Sequence, residues 1–190
     1  NRLNKLDGAV EHYRKALELD PRRAETYNNL GVVLEKRGRP AEAMLSYQQA
    51  VRLNPQYAEA YGNLAMVFAQ QGKLDDAIVS LRKALEFQPG LVAGHCQLAA
   101  ILVDKGRLEE AVLHLEKALQ IDPAYAEARY HLGRIYRMQG KRQEAVQQWR
   151  EGLRSQPRAV LLLNILAWEL ATSSEPSVRN GAQAVKLAEQ

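Results

Sequence analysis

The sequence predicts an all-α solenoid of antiparallel helix pairs, and three observations predict it. Proline recurs at positions 21, 55, 89, 123 and 157, always 34 residues apart, and fixed self-similarity at this length marks a helical repeat array. Glycine keeps the same interval at 38, 72, 106 and 140, midway between the prolines. Apolar and small residues keep it too, with Tyr27, Leu30, Gly31 and Leu34 matched by Tyr61, Leu64, Ala65 and Phe68, and Ala43, Tyr47 and Ala50 by Ala77, Leu81 and Ala84.

Taken in chain order, residues 1–23 supply the second helix of a unit without its first, carrying Ala9, Tyr13, Ala16 and Pro21 in register. Val10, Tyr13 and Leu17 are then expected to have too little cover, and an apolar solenoid end without a polar cap invites self-association. Full units are expected at 24–57, 58–91, 92–125 and 126–159. In each, the central glycine ends the first helix tightly, because it readily takes a positive φ. The proline ends the second, because its ring disfavours helical geometry at the residue before it. Gly31, Ala65, Ala99 and Gly133 are expected to face Ala43, Ala77, Ala111 and Ala145 where the two helices approach. Residues 160–190 form a divergent closing unit: Val160–Thr172 reads as a helix, and Ser173–Gly181 is a polar breaker about five residues longer than the equivalent turns. Helical character resumes from Ala182 to Gln190.

This register resembles the tetratricopeptide repeat (TPR) family, whose pattern is an aromatic, then Leu-Gly, then Tyr, later Ala, Phe, Ala and Pro. The resemblance implies a right-handed superhelical solenoid whose first helices line a concave groove. It also implies that residues two, five, six, nine, twelve and thirteen of each unit face that groove. Here the fifth positions are Asn28, Gly62, Cys96 and Tyr130, and the sixth are Asn29, Asn63, Gln97 and His131. The ninth are Val32, Met66, Ala100 and Arg134, and the twelfth include Glu35, Ala69, Val103 and Arg137.

Asn-Leu-Gly at 29–31 and Asn-Leu-Ala at 63–65 are similar to units of the O-linked N-acetylglucosamine transferase arm. There a ladder of asparagines grips an extended peptide backbone, and an amide suits that task because it offers both donor and acceptor. The family's carboxylate clamp for chaperone tails lacks its cations at Asn28, Val32, Asn63, Ala93 and Gln97. The cluster Tyr130, His131, Arg134 and Arg137 is instead suited to an acidic segment through charge-assisted hydrogen bonds. The end of the chain, Leu166-Ala167-Trp168 through Ala184-Val185, resembles the closing repeat of bacterial TPR proteins, with residues 173–181 expected to fold back over Trp168.

Other classes fare less well. His12, His95, His114 and His131 stand in no ligand spacing with one another or with Cys96, so no metal site is expected. No phosphate-cradling glycine loop and no nucleophile–base pair stands out, so neither catalytic residues nor a cofactor are expected. His95 and Arg129 replace the aromatic that opens a unit. His95 is read as a packed core histidine, and Arg129 as a stem lying on the next helix with its guanidinium in water. The pI near 9.2 rests largely on residues 126–159, with eight basic against three acidic side chains. That patch lacks the aromatic interleaving of a single-strand platform, so nucleic acid is not the expected partner. No apolar run approaches the roughly 20 residues that span a bilayer, and the single cysteine leaves the compartment open.

The function that follows is a non-catalytic scaffold for an extended peptide or a protein partner. Its expected groove residues are Asn28, Asn29, Asn63, Met66, Gln97, Tyr130, His131, Arg134 and Arg137. The alternatives are the recognition arm of a larger enzyme such as a glycosyltransferase, and a self-assembly module.

Overall fold

The computed structural model describes residues 2–189, which are all-α: among these residues eleven helices account for 78% and no strand occurs. They are α1 Arg2–Leu19, α2 Ala24–Lys36, α3 Pro40–Leu53, α4 Ala58–Gln70, α5 Leu74–Phe87, α6 Val92–Asp104, α7 Leu108–Ile121, α8 Ala126–Met138, α9 Arg142–Ser155, α10 Val160–Thr172 and α11 Gly181–Ala188. The chain forms two compact units, one running to Gly94 and the other starting at His95, so the division falls inside α6.

The first helix of each full unit ends by the same device. At Gly38, with φ of 73°, the glycine N–H donates to the Glu35 carbonyl at 2.8 Å and the following Arg39 N–H to the Leu34 carbonyl at 2.9 Å. This paired closure needs a left-handed residue, and it repeats at Gly72, Gly106 and Gly140. The second helices end at Leu53, Phe87, Ile121 and Ser155, two residues before each proline. At Asp20, Asn54 and Asp122 the side-chain Oδ1 also accepts the N–H two residues on, at 3.1, 3.1 and 2.9 Å. The Asx turn and the proline therefore stop the helix together.

In the first unit α2 packs on α3 and α4 on α5. The core joins Val10, Leu30, Leu34, Ala43, Tyr47, Leu64 and Val67, with Tyr13 and Leu17 partly buried against it. This corrects the expectation of too little cover on α1 for Val10, which is only 4% exposed because α1 lays its apolar stripe on the next pair and turns His12, Arg14 and Lys15 outward; Tyr13 and Leu17 remain only half-buried. In the second unit α8 packs on α9 and α10 on α11, around Trp149, Leu162, Leu166, Leu170, Val178 and Ala184.

The close approach of the two helices is set by complementary sizes. A Cβ at Gly31 would stand 2.5 Å from the Tyr47 ring, and one at Gly133 would collide with the Trp149 indole. The expected alanine partners are buried, but aromatic rings occupy the space over these glycines. Where the repeat carries alanine instead, at Ala65 and Ala99, the residues in register with the rings are Leu81 and Leu115. Interiors packed to crystal density leave no room for both a ring and a methyl group.

The units without an opening aromatic compensate similarly. In place of Tyr27 with Ser46 and Tyr61 with Ser80, the register pairs are His95 with His114 and Arg129 with Gln148. The two histidines meet Nδ1 to Nδ1 at 3.0 Å. Arg129 Nη1 donates to Gln148 Oε1 at 2.7 Å and pairs with Glu151 at 2.7 Å. His95 is thus a packed histidine with a ring partner. The Arg129 stem does lie against α9 at Gly152, but its guanidinium is tied to two side chains rather than left to water.

Candidate functional site

On the first unit, the expected asparagine positions form a directional network. Asn28 is 0% exposed. Its Nδ2 donates to Glu59 Oε1 at 3.1 Å, and its Oδ1 accepts from Asn63 Nδ2 at 2.9 Å. The carboxylate decides the orientation: an ionised Glu59 only accepts, so the Asn28 amide must turn its NH2 to Glu59 and its oxygen to Asn63. Asn63 is left with Oδ1, which no protein donor reaches among the described residues. Asn28 was expected on the groove surface; it lies instead beneath Asn63 and fixes it. Asn29 is exposed and Met66 half-buried.

Negative charge surrounds this network. Burial, then the charges of Glu59 and Glu25, push the Tyr57 phenol up, with the Asn28 amide opposing. Glu35 is spent on the Tyr47 hydroxyl, which donates to its Oε2 at 2.5 Å; burial and this bond hold that phenol protonated. The face therefore presents hydrogen-bond acceptors and carboxylates.

On the second unit Gln97 is half-buried on α6, while Cys96, expected near the surface, is fully buried. Burial first, then the charge of Glu127, pushes the Cys96 thiol up to about 12. Along α8, Tyr130, Arg134 and Arg137 follow one another at intervals of four and three residues, so they share a face. Arg134 lies over the Tyr130 ring at 5.7 Å, and Tyr130 meets the His131 ring edge-on at 5.2 Å. His131 Nε2 stands 3.9 Å from Glu127, whose carboxyl is lowered by the neighbouring His131 imidazole, against the effect of burial, and by the Tyr125 hydroxyl that donates to it at 3.2 Å.

The two arginines differ. Arg137 is 3.8 Å from Glu169 Oε2 and lies over the Trp168 ring at 5.0 Å. Glu169 is fully buried and is also held by Arg142 at 3.1 Å, which reaches Glu175 at 3.6 Å. Two cations and two carboxylates thus balance. Arg134 has no carboxylate partner among the described residues. The fold-back of residues 173–181 covers the other side of α10, burying Val178 and donating the Asn180 N–H to the Leu170 carbonyl at 2.8 Å. Trp168 lies half a turn from Leu166 and Leu170, so it is not covered and stays 53% exposed.

Sequence reasoning missed Glu59 and Glu169. Glu59 occupies the second position of its unit, one of the positions already expected on the groove. Glu169 stands where the other repeats carry Val33, Val67, Ile101 and Ile135, and a carboxylate in an apolar register is a readable signal of a buried partner. Among the described residues no group of three or more His, Cys, Asp or Glu is placed to hold a metal ion. No described helix is long and apolar enough to cross a membrane.

Paired helices closed by positive-φ glycines, with polar first-helix faces, define a tetratricopeptide repeat protein, and the comparisons agree. Family profiles described as TPR repeat match residues 1–38 and 100–140, and profiles described as tetratricopeptide repeat match 24–57, 58–91 and 126–159. The chain belongs to the tetratricopeptide repeat family. Proteins of this family bind protein or peptide partners and are generally non-catalytic scaffolds.

Among solved structures, MamA is similar at 27% identity and a TM-score of 0.74, over 83% of this chain and 92% of that one. YrrB, described as a TPR protein with an unusual peptide-binding site, is similar at 26% identity and 0.69, over 86% and 84%. The thermophilic TPR protein TTC0263 of Thermus thermophilus shares the fold at 23% identity and a TM-score of 0.69, over 85% and 88%. A search of curated proteins gives no significant match.

Proposed function

We propose that this chain is a non-catalytic scaffold that holds an extended peptide, or an extended segment of a partner protein, on the exposed faces of its first helices. The observation that carries this reading is the oriented Asn63 amide. A buried carboxamide and a carboxylate are both committed to turning one carbonyl oxygen outward, which suits capture of a peptide N–H. Asn29 beside it keeps both donor and acceptor. On the second unit Gln97 and His131 occupy the same register position, and Arg134 offers a cation to an acidic residue of the ligand. YrrB, with its peptide-binding site, lends support by similarity.

The test is a peptide-display selection against the chain, followed by affinity measurements on an Asn29→Ala, Asn63→Ala, Gln97→Ala variant. All three side chains are at least partly exposed, but Asn63→Ala also strips the buried Asn28 Oδ1 of its donor and should lower stability by about 1–3 kcal/mol. Affinity is therefore measured well below the melting transition, where it should fall. Asn29→Ala with Gln97→Ala breaks no described contact and should weaken binding with melting nearly unchanged. Equal affinity for the selected peptides would overturn the reading. Sedimentation over a range of concentrations separates it from self-assembly, which makes the mass rise with concentration.

A further inference from the structure

We propose that the cleft between α8 and α10 is the selective part of this peptide-binding surface, and that it takes a short motif in which an apolar side chain accompanies an aspartate or glutamate. The inference rests on the peptide-binding reading above and names the ligand chemistry.

Helix α10 is apolar on both sides. One side, with Leu162, Leu166 and Leu170, belongs to the core, while Val160, Leu161 and Trp168 remain 65%, 58% and 53% exposed. A cleft of about 440 Å3 opens between the two helices, lined by Tyr130, Arg137, Leu161, Asn164, Ile165 and Trp168. Spacings of three and four residues place Leu161, Asn164, Ile165 and Trp168 on one face of α10. The floor is therefore apolar and aromatic, with a single amide in it. An amide in such a place hydrogen-bonds a passing peptide group through both its donor and its acceptor.

Charge selects the rest of the motif. Arg137 forms part of the wall but is held against Trp168 with Glu169 behind it, so its charge is already answered. Arg134, one turn earlier on α8, has only the Tyr130 ring and carries a charge that no described carboxylate meets. A neighbouring cleft of about 250 Å3 shares Tyr130 and Leu161 but contains Glu127, whose lowered carboxyl stays ionised and repels an acidic residue. A ligand carboxylate is thus directed to the Arg134 side, with its apolar neighbour on the Trp168 floor.

The experiment uses a positional-scanning library of N-acetylated, C-amidated nonapeptides, with binding read by fluorescence polarisation. Apolar or aromatic residues next to Asp or Glu should be enriched, and replacing the acid by its amide should weaken binding on the order of tenfold. Arg134→Gln should erase the preference for the acid and leave the apolar preference. Trp168→Ala should do the reverse. Asn164→Asp places a negative charge in the cleft without disturbing the core and should penalise acidic peptides most at low salt. If peptides bind but none of the three variants shifts the preferences, this cleft is not the selective site and the broader reading survives. If no peptide binds, both fall.

Discussion

Gly133 lies flush against the indole of Trp149, leaving no space for a Cβ, while Trp149 Nε1 donates to the Tyr130 carbonyl at 3.1 Å. The ring fills the volume between α8 and α9 that alanine and leucine share in the two middle repeats, at Ala65 with Leu81 and Ala99 with Leu115. Gly133→Ala should therefore destabilise the protein by about 1–3 kcal/mol through overpacking. Adding Trp149→Leu should recover much of that loss by recreating the Ala65 and Leu81 combination. Urea denaturation of the two single variants and the double gives the coupling, expected to be at least about 1 kcal/mol. Strictly additive effects would show that the two residues do not share one volume.

This pairing marks how far the sequence can be read. The period alone carried the helices, their closures and the turns, because each depends on residues within a few positions of one another: Gly38 and its capping carbonyls, Asn54 and Pro55. Packing within a repeat was half legible. The loss of an aromatic at His95 and Arg129 was plain, but its compensation stood 19 residues away at His114 and Gln148. The candidate site was least legible. Register placed Asn28 on the surface, and only the geometry shows its amide turned inward between Glu59 and Asn63. Nor does register say that Glu169 answers Arg137 while Arg134 meets no carboxylate among the described residues.

The Asn28 network makes a separate prediction. Asn28→Ala removes the acceptor for Asn63 Nδ2 and leaves a void at a fully buried position, so stability should fall by about 1–3 kcal/mol. Glu59→Gln is subtler, because a glutamine can donate as well as accept, and the Asn28 amide is no longer held one way round. Side-chain amide signals in nitrogen-15 correlation spectra report this directly. The Asn63 NH2 pair should move markedly in both variants, and an unchanged Asn63 signal in Glu59→Gln would show that the carboxylate does not set the orientation.

Cys96 should be inert while the protein is folded. Alkylation requires the thiolate, and a buried thiol pushed up to about 12 is almost wholly protonated at pH 8. Labelling by iodoacetamide should then follow unfolding rather than direct attack, and accelerate only as denaturant populates the open chain. The same shift gives a pH dependence. Between the ordinary value of 9.0 for a free thiol and about 12, the unfolded thiol ionises and the folded one does not, so stability falls as pH rises through that window. Cys96→Ala should flatten this part of the profile; an identical slope would assign it to other groups.

The last prediction concerns Arg142 and Glu169, which replace an apolar pair. Arg142 stands in register with Leu74 and Leu108, and Glu169 with Val67, Ile101 and Ile135, yet the two meet at 3.1 Å with the glutamate fully buried. Removing one partner strands a charge: Glu169→Ile leaves Arg142 with Glu175 alone, and Arg142→Leu leaves the buried carboxylate to Arg137 at 3.8 Å. Breaking a buried pair from one side typically costs about 3–5 kcal/mol. Replacing both by the residues of the other repeats avoids the desolvation penalty, so Arg142→Leu with Glu169→Ile should match or exceed the parent's stability. Arg137 and Glu175 are both about one-third exposed, so water can take over their charges. Denaturant midpoints of the four proteins measure the cycle, and a double variant weaker than both single ones would mean that the ion pair, rather than its apolar counterpart, is what holds α10 to α9.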